Sequence, residues 1–293
     1  MSELALLEAL RAKIDAMDDR LVALLNERSA VVLEIGKIKK RNNAHFHTPA
    51  REQAIYDRLT ANNPGPFPNE SLKHVFREIM GGSLSLEKEM RAAYVGPEES
   101  LSHQACLKRF SASVITTPVK SIQEVFEAVE SGQTDFGMVP IENTTEGMVN
   151  DTLDLFVNSH LLIYGEVIIE ENRVRPSRGA YPLKNETRFW IVSKKPSERT
   201  TRDKTSLCFS IKDVSKDAHG TLYHLLSPFD KRGIDLIGFS VRPTRKKLGE
   251  YLLYIDISGH QAEEKIHSAL DEIKKNAFSL KVLGSYPMAG DPP

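Results

Sequence analysis

The chain of 293 residues carries 39 basic and 40 acidic side chains, a formal charge of −1, and 40% apolar residues. That length allows two or three domains, and the balanced charge excludes a global field for nucleic acid or anionic membranes. Cys106 and Cys208 lie outside metal or disulfide spacing, no apolar run reaches a membrane span, and the start lacks a basic-then-apolar leader; the expectation is a cytoplasmic protein of small-molecule chemistry without metal or cofactor.

Residues 4–41 hold Leu7, Leu10, Ile14, Met17, Leu21, Leu24, Val31, Ile35 and Ile38 at three- and four-residue spacing, with Gly36 the sole glycine. This is a helix on the order of 55 Å long. Its seam needs a partner helix, and a second copy of the chain can supply one. After the loop "NNAHFHTPA", residues 50–61 and 69–90 read as two more helices, the last with Asn69 as cap. The first 90 residues are expected to be all-α.

The pattern changes at Ala92. "AAYVG" is strand-like, "SHQACLKRF" and "SIQEVFEAVESG" are helical, and Gly132 closes the second of these. "DFGMVPIEN" is a strand, "MVNDTLDLFVNS" a helix, and "LLIYGEVIIEE" and "RFWIVSKK" are strands. The alternation predicts an α/β sheet whose site lies at the carboxyl ends of its strands. Residues 205–287 follow as strand, helix, strand, strand, helix, strand, the ferredoxin-like βαββαβ order. The expected division is 1–90, 91–200 and 201–293.

The first helix also carries charge where its seam should be apolar. Continuing the seam by its own spacing puts Arg28 on the packed stripe, which is costly unless the guanidinium is paired. Lys39, eleven residues on, shares that face, while Arg11 lies about 100° away and more easily serves a neighbouring site. The second helix adds Arg51 and Glu52, and the third Ser83 and Glu87. Arg28 either sets helix register or forms part of a pocket for a small polyanion, with each carboxylate held by two parallel hydrogen bonds.

"LRAKIDAMDDRLVALLNERSAVVLEIGKIK", "PAREQAIYDRL" and "FREIMGGSLSLE" resemble the all-helical chorismate mutase domain. The resemblance implies an intertwined dimer that rearranges chorismate to prephenate. Arg28 would bind one substrate carboxylate and Arg11 of a second protomer the other. Lys39 and Glu87 would hydrogen-bond the ether oxygen, and Arg51, Glu52 and Ser83 would orient the ring hydroxyl. Relatives often have Asp at the place of Thr48, and some have Gln at that of Glu87. A Glu87 that donates must hold its proton, a form burial favours, so activity is expected to fall above neutral pH.

"YVGPEESLSHQA", "MVPIENTTEG" and "NETRFWIV" resemble the prephenate dehydratase domain, and "HGTLYHLLSPFDKRGIDL" with "RPTRKKLGEYLLYIDISGH" the ACT regulatory domain. The three-part order is that of the bifunctional chorismate mutase/prephenate dehydratase family. The resemblance makes Thr187 the acid that helps the ring hydroxyl leave, with Asn143, Thr144, Thr145 and Ser100 lining the same cleft. Family members place a whole second lobe between "GEVIIE" and the Thr-Arg-Phe motif, where this chain has "ENRVRPSRGAYPLK". A cleft with one wall leaves its substrate wet, so the expectation is a folded remnant or scaffold. The alternative is that the chain still dehydrates prephenate, for example with a dimer partner supplying the second wall. In the last segment Gly220, Thr221 and Leu222, and Ser240 to Pro243 including Arg242, stand at the family's phenylalanine-binding turns. Those turns have lost polar groups, so phenylalanine is a possible effector and dimerisation the plainer role. Two non-catalytic readings remain open, a sensor of prephenate or phenylalanine and a helical-dimer scaffold.

Overall fold

The computed structural model describes residues 2–42, 48–171, 185–211, 214–244, 250–276 and 279–289, and omits the side chains of 211, 214–221 and 276. The chain divides into two compact units. One comprises Met1–His47, Tyr56–Met90 and Phe110–Val114, and the other Thr48–Ile55, Arg91–Arg109 and Ile115–Pro293.

Helix α1 (Glu3–Arg41) starts at Ser2, whose Oγ accepts from the Ala5 amide at 3.3 Å, and ends on Lys39, Lys40 and Arg41 beside its negative pole. Helix α2 is Pro49–Ala61 and α3 is Asn69–Glu87. Pro68, and not Asn69, takes the cap position of α3, without a side-chain bond. Asn69 instead accepts from Asn63 Nδ2 at 2.7 Å across the preceding turn. α3 also stops three residues short of the expected Met90, because Arg91 already enters a strand. α1 packs on α3, yet its stripe stays open to solvent within one chain: Leu7 is 44% exposed, Met17 59% and Leu24 57%.

In the second unit β1 (Arg91–Val95), β2 (Ile115–Val119), β3 (Phe136–Asn143), β4 (Gly147–Met148), β5 (Leu162–Glu171) and β6 (Asn185–Ser193) form one sheet, ordered β2-β1-β3-β6-β5 with β4 on β3. Helices α4 (Leu101–Phe110), α5 (Ile122–Ser131) and α6 (Asn150–Asn158) connect them. Gly132, at φ 81°, ends α5 in the left-handed conformation expected of it. β2 was hidden in the sequence by Pro118, which an edge strand tolerates. β1 is parallel to β2 and β3, whereas β6 is antiparallel to β3 and β5. The ends of β1 and β3 and the start of β6 therefore lie on one edge.

Strands β7 (Asp203–Ile211), β8 (Leu236–Pro243), β9 (Tyr251–Ser258) and β10 (Ser279–Pro287) form an antiparallel sheet, order β10-β7-β9-β8, with α7 (Val214–Asp230) and α8 (Glu264–Asn276). The chain order is the expected βαββαβ. The central strands of this sheet are covered on both faces, while the edge strand β8 is largely exposed. Leu253, Ile255 and Ile257 pack with Leu225, Phe229, Ile266 and Leu270 of the helices. Leu252, Tyr254, Cys208 and Tyr286, on the other face, share a core with Trp190, Val192, Phe156 and Ile163 of the first sheet. Two covered faces explain why "YLLYI" is a continuous apolar run. The two sheets come close at Gly284, where a Cβ would collide with the Ile163 carbonyl oxygen.

Candidate active sites

On the α1–α3 contact, Arg28 Nη1 donates to Ser83 Oγ at 2.5 Å, and Ser83 Oγ donates to the Ile79 carbonyl at 2.7 Å. The serine proton is thus committed to its own helix, leaving its lone pair to fix the guanidinium. Lys39 Nζ stands 3.5 Å from Glu87 Oε2. The Glu87 side chain is only 4% exposed, and this oxygen receives no hydrogen bond among the described residues. Four of the residues read from the sequence therefore meet between two helices: two cations, one hydroxyl and one buried carboxyl. Nothing here is a nucleophile; the group suits binding and charge stabilisation.

Arg11 is exposed, seventeen residues and about 25 Å up α1 from Arg28, beyond the reach of the same copy's pocket. Arg51 and Glu52 lie in the first turn of α2, where both amides bond to the Thr48 carbonyl. They belong to the second unit, and Glu52 Oε2 accepts from Arg109 Nη1 at 2.8 Å.

At the edge of the larger sheet, β3 and β6 bring the second set together. A bulge between Pro140 and Glu142 sets Glu142 opposite Arg188 and Asn143 opposite Thr187. Asn143 Nδ2 donates to Thr187 Oγ1 at 2.8 Å, and Thr187, 6% exposed, points its hydroxyl to Glu171 Oε1 at 3.4 Å. Asn143 Oδ1 accepts from the Thr145 amide at 2.9 Å and from the Thr145 hydroxyl at 2.6 Å, while Thr144 Oγ1 donates to Asn185 Oδ1 at 3.1 Å. Ser100 follows β1 on the same edge, where its Oγ accepts from the His103 amide at 3.3 Å and opens α4. Glu99 beside it is held at φ 68°, with its amide on His103 Nδ1 at 3.0 Å. The segment 172–184, which includes most of "ENRVRPSRGAYPLK", lies outside the described residues.

The sequence reading missed an ionic cluster on the opposite face of β6. Arg188 contacts Asp256 at 2.9 Å, Glu142 at 3.0 Å and Glu166 at 3.6 Å; Lys204, 4% exposed, meets Glu166 at 2.6 Å and Asp256 at 3.7 Å. Ser206 Oγ adds bonds to Asp256 at 2.5 Å and to Tyr286 Oη at 2.6 Å. Burial alone would lift the Asp256 carboxyl, but Lys204 and Arg188 outweigh it and hold the group below its ordinary value. The Arg188 guanidinium is raised further, mainly by Asp256, against the opposing effect of its burial. The only local signal was one arginine within an apolar strand, and its carboxylate partners lie far along the chain.

Of the expected effector residues, Arg242 is 7% exposed, donating to the Asn150 carbonyl at 2.8 Å and to Asp154 Oδ1 at 2.5 Å. Its guanidinium fastens β8 to α6 in this arrangement. Ser240 and Pro243 lie on β8 with it, and Leu222 is 41% exposed on α7. The side chain of Thr221 lies outside the described residues.

Two family models match the chain, "Chorismate mutase type II" over residues 10–88 and "Prephenate dehydratase" over residues 92–173. A "Bifunctional chorismate mutase/prephenate dehydratase" of Aquifex aeolicus is 34% identical over 359 aligned positions, covering 97% of this chain and 98% of the relative. Those aligned positions exceed the 293 residues of the chain itself. The prephenate dehydratase structure from Streptococcus mutans matches with a TM-score of 0.57 and 33% identity, covering 69% of this chain and 100% of that one. A prephenate dehydratase from Arthrobacter aurescens, solved in complex with L-Phe, shares the fold at a TM-score of 0.56 and 23% identity, over 68% and 90% of the two chains.

Proposed function

The chain belongs to the bifunctional chorismate mutase/prephenate dehydratase family, and on that premise we propose that it rearranges chorismate to prephenate in the pocket of Arg28, Lys39, Ser83 and Glu87. It carries a chorismate mutase domain and a prephenate dehydratase domain of phenylalanine biosynthesis. The observation that carries the pocket assignment is the meeting of Arg28 with Ser83 and of Lys39 with Glu87 between α1 and α3.

The rearrangement is intramolecular and needs no acid, base or nucleophile. It needs a folded-up conformer and positive groups where charge gathers on the breaking C–O bond. Arg28 takes one carboxylate, and the partner's Arg11 takes the other. Lys39 and Glu87 stand at the ether oxygen. Ser83 fixes the Arg28 guanidinium from α3. The exposed seam of α1 supports a homodimer, since a second copy buries it. Chorismate consumption by the purified chain tests this reading; no consumption, with the dimer intact, would refute it.

For the second activity we propose a dehydratase domain with one wall. Three observations support this. The family match stops at residue 173. The alignment with the Aquifex relative is longer than the chain. The facing ends of β5 and β6, Glu171 and Asn185, are joined by only thirteen residues. Thr187, with Asn143, Thr144, Thr145 and Ser100 on its edge, is the remaining acid site, and its turnover of prephenate to phenylpyruvate is low unless another chain closes the cleft. Phenylpyruvate formation at a rate matching mutase turnover would overturn this.

The βαββαβ segment is proposed as an ACT regulatory domain, which its strand order supports. Phenylalanine is the proposed effector, at Gly220–Leu222 of α7 and at Ser240–Pro243, which form the end of strand β8 and not a turn. Arg242 must then leave Asp154 to reach it. Absence of heat on titration with phenylalanine would reduce this segment to a dimerisation module. A shortened dehydratase domain also favours a second reading, a sensor without turnover, which measurable mutase activity excludes.

A further inference from the structure

Helix α6 has nine residues and begins at Val149 without a side-chain cap bond. A helix this short holds its place through outside contacts. On one side it is tied to β3. Thr152 Oγ1 donates to the Pro140 carbonyl at 2.6 Å, and the Val149 amide donates to the Ile141 carbonyl at 2.8 Å. On the other, three strands of the C-terminal sheet grip its main chain. Arg242 of β8 reaches the Asn150 carbonyl and Asp154. Tyr254 Oη of β9 donates to the Leu153 carbonyl at 2.9 Å. Lys281 Nζ of β10 donates to the Phe156 carbonyl at 2.6 Å and to the Ser159 carbonyl at 2.5 Å.

The two cations stand at opposite poles of the helix. Lys281 meets the carbonyls of the last turn, where the helix dipole favours a cation, so it serves stability. Arg242 meets the first turn, where the dipole opposes one. Stabilising α6 alone would favour an acid there, yet a guanidinium with an 8% exposed side chain occupies the place. What adjoins that turn is the edge of Thr187. Between Asn143 and Asn150 the chain is a tight hairpin, with Met148 opposite Glu142 and Gly147 opposite Asn143. Asn143 Nδ2 donates to Thr187, and Asn143 Oδ1 accepts from the Thr145 and Glu146 amides. The seat of the first turn of α6 therefore sets the base of the hairpin that orients Thr187.

We propose that Arg242 is a positioning residue for the Thr187 edge, acting through the first turn of α6. It holds Asn150 by the carbonyl and Asp154 by the carboxylate. Two donors in a rigid fork fix the rotation of the helix as well as its distance, which a single ammonium cannot do. The hairpin then presents Asn143 to Thr187 in one orientation. The effect on turnover rests on the dehydratase reading of Thr187, whereas the effect on the hairpin does not.

The full-length chain and its R242A, R242K and K281M variants are compared by prephenate turnover, thermal melting and amide hydrogen exchange. R242A is expected to lower kcat for phenylpyruvate formation ~10-fold with KM near the wild-type value, the effect of a displaced catalytic group. The Thr145, Glu146 and Val149 amides should exchange ~10-fold faster or more, while those of Leu155 to Ser159 stay protected by Tyr254 and Lys281. R242K, which reaches one acceptor at a time, should recover part of kcat. K281M should lower the melting temperature and, well below it, leave kcat and the hairpin amides unchanged. Unchanged hairpin exchange in R242A would overturn the proposal. So would equal losses of kcat in R242A and K281M, which would make both contacts merely structural. If the wild-type chain forms no phenylpyruvate, the dehydratase reading falls, and faster hairpin exchange in R242A still upholds the link from Arg242 to that edge.

Discussion

Gly36 of α1 stands so close to Glu87 of α3 that a Cβ at position 36 would fall 2.9 Å from Glu87 Cγ. The glycine is the space in which the buried carboxyl lies. In an exposed helix, alanine would be preferred by about 1 kcal/mol. Gly36→Ala is therefore expected to leave the melting temperature unchanged or raised while chorismate turnover falls ~10-fold, the effect of moving a group that touches the reacting oxygen. Unchanged turnover would show that the position of Glu87 is not critical.

Arg28→Ala removes the guanidinium that Ser83 fixes. A binding role predicts a loss of ~10²–10³ in kcat/KM, with the oligomer retained in sedimentation. If Arg28 only sets helix register, the oligomer should be lost instead.

Asp256 makes an acid-stability prediction. Lys204 and Arg188 hold its folded-state carboxyl below the ordinary 3.8 despite burial. A depressed carboxyl stabilises above its unfolded value, and that contribution fades as pH drops through the lower folded value. Thermal melts from pH 5 down to pH 2 should therefore lose stability with a component that Asp256→Asn abolishes. Equal acid sensitivity in both proteins would contradict this.

Gly284→Ala places a Cβ between fixed backbone atoms, in collision with the Ile163 carbonyl oxygen and 2.9 Å from its amide nitrogen. No side-chain rotation relieves this. Overpacking of this kind costs ~1–3 kcal/mol, read as a lower denaturant midpoint. A neutral result would mean that β5 and β10 slide freely past one another.

What the sequence revealed depends on the distance over which each cause acts. α1 was legible from three- and four-residue spacing, and Arg28 stood out because it interrupts that spacing. Thr187 and Asn143 were paired in advance by motif, and the bulge before Glu142 is what brings them opposite each other. β2 escaped notice because Pro118 suits only an edge, and edge position is a property of the assembled sheet. The partners of Arg188 escaped for the same reason: Glu142, Glu166 and Asp256 come from three strands of two sheets. The seat of Glu87 depends on a glycine fifty-one residues earlier, visible in the sequence only as a lapse in helix propensity.

The core shared by Trp190, Phe156 and Ile163 with Tyr254, Leu283 and Tyr286 lays the larger sheet on the C-terminal one. A dehydratase domain with one wall, as proposed above, then has this face covered without help from a second lobe. The two segments should then unfold in a single calorimetric transition, and a chain cut near residue 200 should be insoluble, with the faces around Trp190 and Ile163 left bare.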